Sequence, residues 1–122
     1  MKHILFTLRG CDADLLNDSY HIRTGLVAAA REAGSKIIDV STHCFEPQGV
    51  TSIALLADSH LSIHTWPESQ YSAVDIFTCG QNMMPELASQ YLIKALKAEE
   101  HFLRSIERKP PASVLKKIRI VA

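Results

Sequence analysis

Apolar and polar residues alternate in short runs along most of this chain, and in two longer stretches the apolar spacing becomes helical. His3 to Leu8 is an apolar run closed by Arg9-Gly10, which predicts a first strand. From Asp12 onward Leu15, Ile22, Leu26, Ala30 and Ala33 share one helical face. They predict a single amphipathic helix over 12–33, stopped by Gly34 and weakened slightly by Gly25. Lys36 to Cys44 is rich in β-branched residues, Glu46-Pro47-Gln48-Gly49 is a turn signal, and Val50 to Ala57 is apolar again, so two strands joined by a tight loop are expected. Leu61 to Trp66 and Ser72 to Cys79 form another such pair around Pro67-Glu68-Ser69-Gln70. Pro85-Glu86 opens a second helix with Ala88, Leu92, Ala95 and Leu96 on one face. A last strand is expected over Phe102 to Arg108, followed by Pro110-Pro111 and a short basic tail, Val114 to Val121. The order β, α, β, β, β, β, α, β predicts an α+β two-layer sandwich, with a mainly antiparallel sheet and two helices on one face.

At 122 residues the chain holds one domain, and a core this small makes dimerisation a reasonable expectation. Thirteen basic side chains balance thirteen acidic ones, which argues against an electrostatic binder of nucleic acid or membrane. The basic residues Arg104, Arg108, Lys109, Lys116, Lys117 and Arg119 gather near the C-terminus and read as a solvated face. Cys11, Cys44 and Cys79 cannot all pair within one chain and have no CxxC spacing, so a reduced cytoplasmic setting is expected. The apolar run Ile4-Leu5-Phe6 ends too early at Arg9 and Asp12 for a secretory segment or a membrane span.

Reactive residues crowd into the window Asp58 to Glu68. His60 and His64 would share a face on a helix, but Ile63, Thr65 and Pro67 favour a strand, where four residues span roughly 13 Å and cannot share one ion. No metal site is therefore expected. A serine hydrolase would need a nucleophile elbow that is missing, and five scattered glycines make no phosphate loop.

The run Ser59-His60-Leu61-Ser62-Ile63-His64-Thr65-Trp66-Pro67-Glu68 continues through Tyr71 to Ala73-Val74-Asp75-Ile76-Phe77-Thr78-Cys79-Gly80. With Phe45-Glu46-Pro47-Gln48-Gly49-Val50 before it, it closely resembles the prokaryotic S-adenosylmethionine decarboxylases, over His3 to about Arg108. The resemblance implies a proenzyme that cuts itself between Asp58 and Ser59 into chains 1–58 and 59–122, leaving a pyruvoyl group made from Ser59. That ketone condenses with the substrate amine and is the electron sink for decarboxylation, so no external cofactor or metal is implied. His64 is implied as the proton carrier in cutting, and Cys79 as the proton donor in turnover. Phe45 matches an adenine-stacking position, Trp66 is a second aromatic candidate, and Glu68 matches the acid that holds the ribose hydroxyls. Cys11 and Cys44 have no such match and are read as packing residues.

Two positions depart from the family pattern. Thr51 stands where a serine usually aids processing, its extra methyl restricting the rotamer, and Asp58 stands where glutamate is common. The family implies a dimer with sites near its interface and a product that supplies spermidine and other polyamines with an aminopropyl group. The alternatives are an arginine or ornithine decarboxylase on the same scaffold, or an uncleaved relative that serves as a binding subunit.

Overall fold

The computed structural model describes residues 1–79 and 82–109. Gly80, the Pro110-Pro111 pair and the tail over Val114 to Val121, including Lys116, Lys117 and Arg119, lie outside the described residues. Six strands, β1 (Lys2–Arg9), β2 (Ile37–Cys44), β3 (Val50–Leu56), β4 (His60–Trp66), β5 (Tyr71–Thr78) and β6 (Glu100–Glu107), make one sheet. Their order is β2-β3-β4-β5-β1-β6, and every neighbouring pair is antiparallel. The two expected hairpins form around the predicted turns, and β1 inserts between β5 and β6.

Strict alternation on β3, β4 and β5 sends one set of side chains to each face of the sheet. Ile4, Phe6, Leu8, Val50, Ala54, Leu61, Ile63, Val74 and Ile76 are buried on the first face. Helices α2 (Ser19–Glu32) and α3 (Pro85–Ala95) cover that face with Ile22, Leu26, Ala29, Ala88 and Leu92. Among the described residues no helix lies on the second face, and on it Leu5, Ile53, Leu55, Trp66 and Phe102 are 38% to 54% exposed.

The first helical stretch is two helices rather than one. A short helix α1 (Ala13–Leu16) precedes α2, because two aspartates each stop the chain to cap a helix start. Asp12 accepts from the Leu15 amide at 3.1 Å, and Asp18 accepts from the His21 amide at 3.0 Å. The break turns Leu16 rather than Leu15 into the core. It also frees the Asn17 side chain, whose Oδ1 accepts from the Gly49 amide at 2.9 Å. Cys11 packs in the core as expected, but Cys44 is exposed, since it ends the edge strand β2 where no helix reaches it.

The loop from Phe45 to Gly49 is held firmly. The Phe45 amide donates to the Gly49 carbonyl at 2.8 Å, and Gly49 has φ of +109° with the Thr65 carbonyl 3.1 Å from where a Cβ would stand. Thr65, 1% exposed, accepts from the Val50 amide at 2.9 Å and donates to the Leu16 carbonyl at 2.8 Å. One hydroxyl thereby ties α1 to the β3–β4 pair. Thr65→Val leaves that buried amide and carbonyl without their partner, and urea denaturation should show a loss of about 1–3 kcal/mol.

Candidate active site

Two groups of chemically competent side chains lie at opposite ends of β4. The first surrounds the turn from Leu56 to Ser59, where the Leu56 amide donates to the Ser59 carbonyl at 2.8 Å. Ser59 is half-buried, with its Oγ 3.2 Å from His60 Nδ1. His60 stacks on Phe77, with ring centroids 5.9 Å apart and planes at 17°. The Asp58 carboxylate lies near enough to Cys79 for its charge to act on the thiol. Cys79 donates its thiol proton to the Met1 thioether at 3.4 Å.

Burial pushes the Cys79 thiol above the ordinary thiol range, the Asp58 carboxylate adds to that shift, and the N-terminal ammonium opposes it. Cys79 is therefore held as a protonated thiol near neutral pH, suited to giving a proton rather than to attacking as a thiolate.

The second group is aromatic. Thr51 and His64 face each other across β3 and β4, and Thr51 Oγ1 lies 2.5 Å from His64 Nδ1, so the threonine makes its contact despite the added methyl. Phe45 stands edge-on to His64 at 5.3 Å, and Trp66 does so at 4.2 Å on the other side. Phe45 is 41% exposed and Trp66 38%, so neither is a core side chain. Glu68 is exposed in the 3-10 turn Pro67–Ser69 that follows β4.

The structure thus brings Asp58, Ser59 and Cys79 together at one end, and Phe45, Thr51, His64 and Trp66 together at the other. It does not bring Ser59 to His64. Five residues of extended strand separate them, roughly 16 Å. A cavity of about 530 Å³ opens beside the second group, lined among others by Leu5, Ser62, His64, Asp75 and Arg104, and none of Asp58, Ser59 or Cys79 lines it.

Two aromatic neighbours went unread in the sequence. His43 packs edge-on against Phe45 at 4.6 Å and pairs with Thr51, and Tyr71 packs against Trp66 at 5.2 Å. Counting outward from the Glu46–Gly49 turn would have set His43 opposite Thr51. No sequence signal leads to a third contact, the Ser35 hydroxyl that donates to Asp58 Oδ1 at 3.1 Å. Among the described residues no three histidine, cysteine, aspartate or glutamate side chains converge as metal ligands. No helix among them is long and apolar enough to cross a membrane.

Residues 2–109 match the S-adenosylmethionine decarboxylase family. The S-adenosylmethionine decarboxylase proenzyme of Parasynechococcus marenigrum (strain WH8102) is 51% identical over 118 residues, which are 97% of this chain and 92% of that one. The proenzyme of the same description from Methanococcus maripaludis is 46% identical over 107 residues, 88% of each chain. The crystal structure of the adenosylmethionine decarboxylase from Aquifex aeolicus superposes with a TM-score of 0.83 at 37% identity, covering 90% of this chain and 91% of that one. A Trypanosoma brucei AdoMetDC structure shares the fold at 16% identity and a TM-score of 0.63, with 84% of this chain covering 44% of that longer one. With the Ser59 turn, Cys79 and the His64 cluster carried on a sheet that superposes on an adenosylmethionine decarboxylase, this chain belongs to the S-adenosylmethionine decarboxylase family.

Proposed function

We propose that this chain is a proenzyme that cuts its backbone between Asp58 and Ser59 and then decarboxylates S-adenosylmethionine. The observation that carries the reading is the Asp58–Ser59 peptide in a tight turn, closed by the Leu56 amide on the Ser59 carbonyl, with Cys79 near enough to feel the Asp58 charge. Ser59 Oγ attacks the Asp58 carbonyl carbon; a C–O bond forms as the C–N bond breaks, and the hydroxyl proton ends on the freed amine. Loss of the Ser59 α-proton then expels the Asp58 carboxylate and leaves dehydroalanine, which takes up water and releases ammonia. The resulting pyruvoyl group supplies a carbonyl that accepts the electron pair left when carbon dioxide departs. Cys79 gives the proton that replaces the carboxylate, and its raised pKa keeps that proton available at neutral pH.

The substrate cluster suits a nucleoside with a cation. Phe45 offers an open ring face to adenine and to the sulfonium charge, Trp66 a second one, and Glu68 accepts from the ribose hydroxyls. Arginine and ornithine have no base or ribose to use them. The product is an aminopropyl donor for spermidine and polyamine synthesis.

The separation of roughly 16 Å between Ser59 and His64 leaves one copy with two half-sites. A second copy, laid face to face about a twofold axis, would set Ser59 and Cys79 of one protomer against the partner's Thr51, His64, Phe45 and Glu68. The same contact would bury the exposed Leu5, Ile53, Leu55 and Phe102. We therefore read the active species as a homodimer of processed protomers, in a cytoplasm reducing enough to keep Cys79 a thiol.

Denaturing gels of the purified protein should show two fragments, 1–58 and 59–122. Ser59→Ala should stay intact, whereas Cys79→Ala should be cut yet turn over slowly; an intact wild-type chain that releases carbon dioxide would overturn the reading. Of S-adenosylmethionine, arginine and ornithine, only the first should yield carbon dioxide. Glu68→Ala and Cys79→Ala, each strongly impaired alone, should rise to about a quarter of wild-type activity when co-expressed, because half the dimers are hybrids with one intact site. No recovery would mean that each site is built within one protomer. Iodoacetamide labelling of Cys79, mapped by mass spectrometry beside exposed Cys44, should be slow at neutral pH and rise only in alkali. Asp58→Asn removes a negative neighbour and should move that rise to lower pH.

A further inference from the structure

The end of α2 touches the turn that holds the proposed cleavage point, and none of the site residues discussed above explains that contact. The helix finishes in a glycine cap: Gly34 has φ of +86°, its amide donates to the Arg31 carbonyl at 2.9 Å, and the Ser35 amide donates to the Ala30 carbonyl at 3.0 Å. The Met84 amide also donates to the Ala33 carbonyl at 3.0 Å, so this helix end is fixed on two sides. From that platform the chain meets the turn twice. The Lys36 carbonyl accepts from the Ala57 amide at 2.9 Å, and the Ser35 hydroxyl, on a residue 9% exposed, donates to Asp58 Oδ1 at 3.1 Å.

The other carboxylate oxygen, Asp58 Oδ2, is buried with no hydrogen-bond partner. Ser35 is therefore the one side-chain donor found for Asp58 among the described residues. A carboxylate half out of water with a single donor depends on that donor. Without it the cheaper course is for Asp58 to swing toward solvent, which rotates the residue whose carbonyl Ser59 must attack.

We propose that Ser35 is a positioning residue for backbone cleavage, its hydroxyl anchoring the Asp58 side chain so that the Asp58 carbonyl carbon stays within reach of Ser59 Oγ. Ser35 neither gives nor takes a proton in the step. The Ser59 Oγ–carbon bond still forms as the Asp58–Ser59 C–N bond breaks, and the proton still passes from hydroxyl to amine.

The inference rests on the self-cleavage reading, and the experiment separates the two. Full-length chains are made by cell-free translation, and the intact fraction is followed on denaturing gels. If wild type never splits, the cleavage reading fails, and this inference with it. If wild type splits, Ser35→Ala should mature roughly tenfold more slowly or worse, Ser35→Thr should restore most of the rate, and Ser35→Ala/Asp58→Ala should be no slower than Asp58→Ala alone. Should Ser35→Ala lower the unfolding midpoint greatly, Ser35→Cys keeps the size and loses the strong donor, and the same slowing is expected of it. Wild-type maturation in Ser35→Ala or Ser35→Cys, or independent slowing by the Ser35 and Asp58 changes, would overturn the role given to Ser35.

Discussion

An extended strand cannot be shortened, and the geometry of this molecule follows from that limit on β4. Ser59 precedes its first residue, His64 lies past its middle, and Glu68 follows its end. A rise of roughly 3.3 Å per residue keeps these groups apart whatever the rest of the chain does. The β3 register adds a partner at one end, where Thr51 joins His64, and at the other end the Asp58 charge reaches Cys79. A site that needs both ends cannot close along one strand.

Packing makes that division possible. The described residues provide two main helices, which bury the core on one face but leave Leu103 of the edge strand β6 46% exposed on it. The opposite face keeps side chains of mixed character, with Leu5 and Ile53 among Ser62, His64 and Asp75. Such a face is too apolar to be indifferent to a partner and too polar to be a core by itself. Thr65 shows how the two faces are coupled, since its hydroxyl fixes α1 on the helix side and its strand carries His64 and Trp66 on the other.

The acid at position 58 has two neighbours of different consequence. Ser35 donates to one oxygen and leaves the other buried and unpartnered, while the charge acts on Cys79. A single carboxylate thus connects the end of α2, the Ser59 turn and the thiol. That charge raises the thiol's pKa in the same direction as burial, which is the larger cause.

Strand alternation, the two turns and the helix starting at Pro85 were legible because each rests on local sequence: periodicity, proline and glycine. So was the membership of Ser59, His64 and Cys79 in one motif. The break after Leu16 was not, since the apolar spacing runs on through it and only the capping by Asp18 ends the turn. The exposure of Cys44 was hidden as well, because being at an edge is a property of strand order and not of the residue. The sequence by itself determined which side chains are available and on which face of a strand each falls, as these follow from bonds between near neighbours. Only the tertiary structure decided how far Ser59 stands from His64, and that Ser35 reaches Asp58 from 23 residues away, because such distances depend on how separate elements pack.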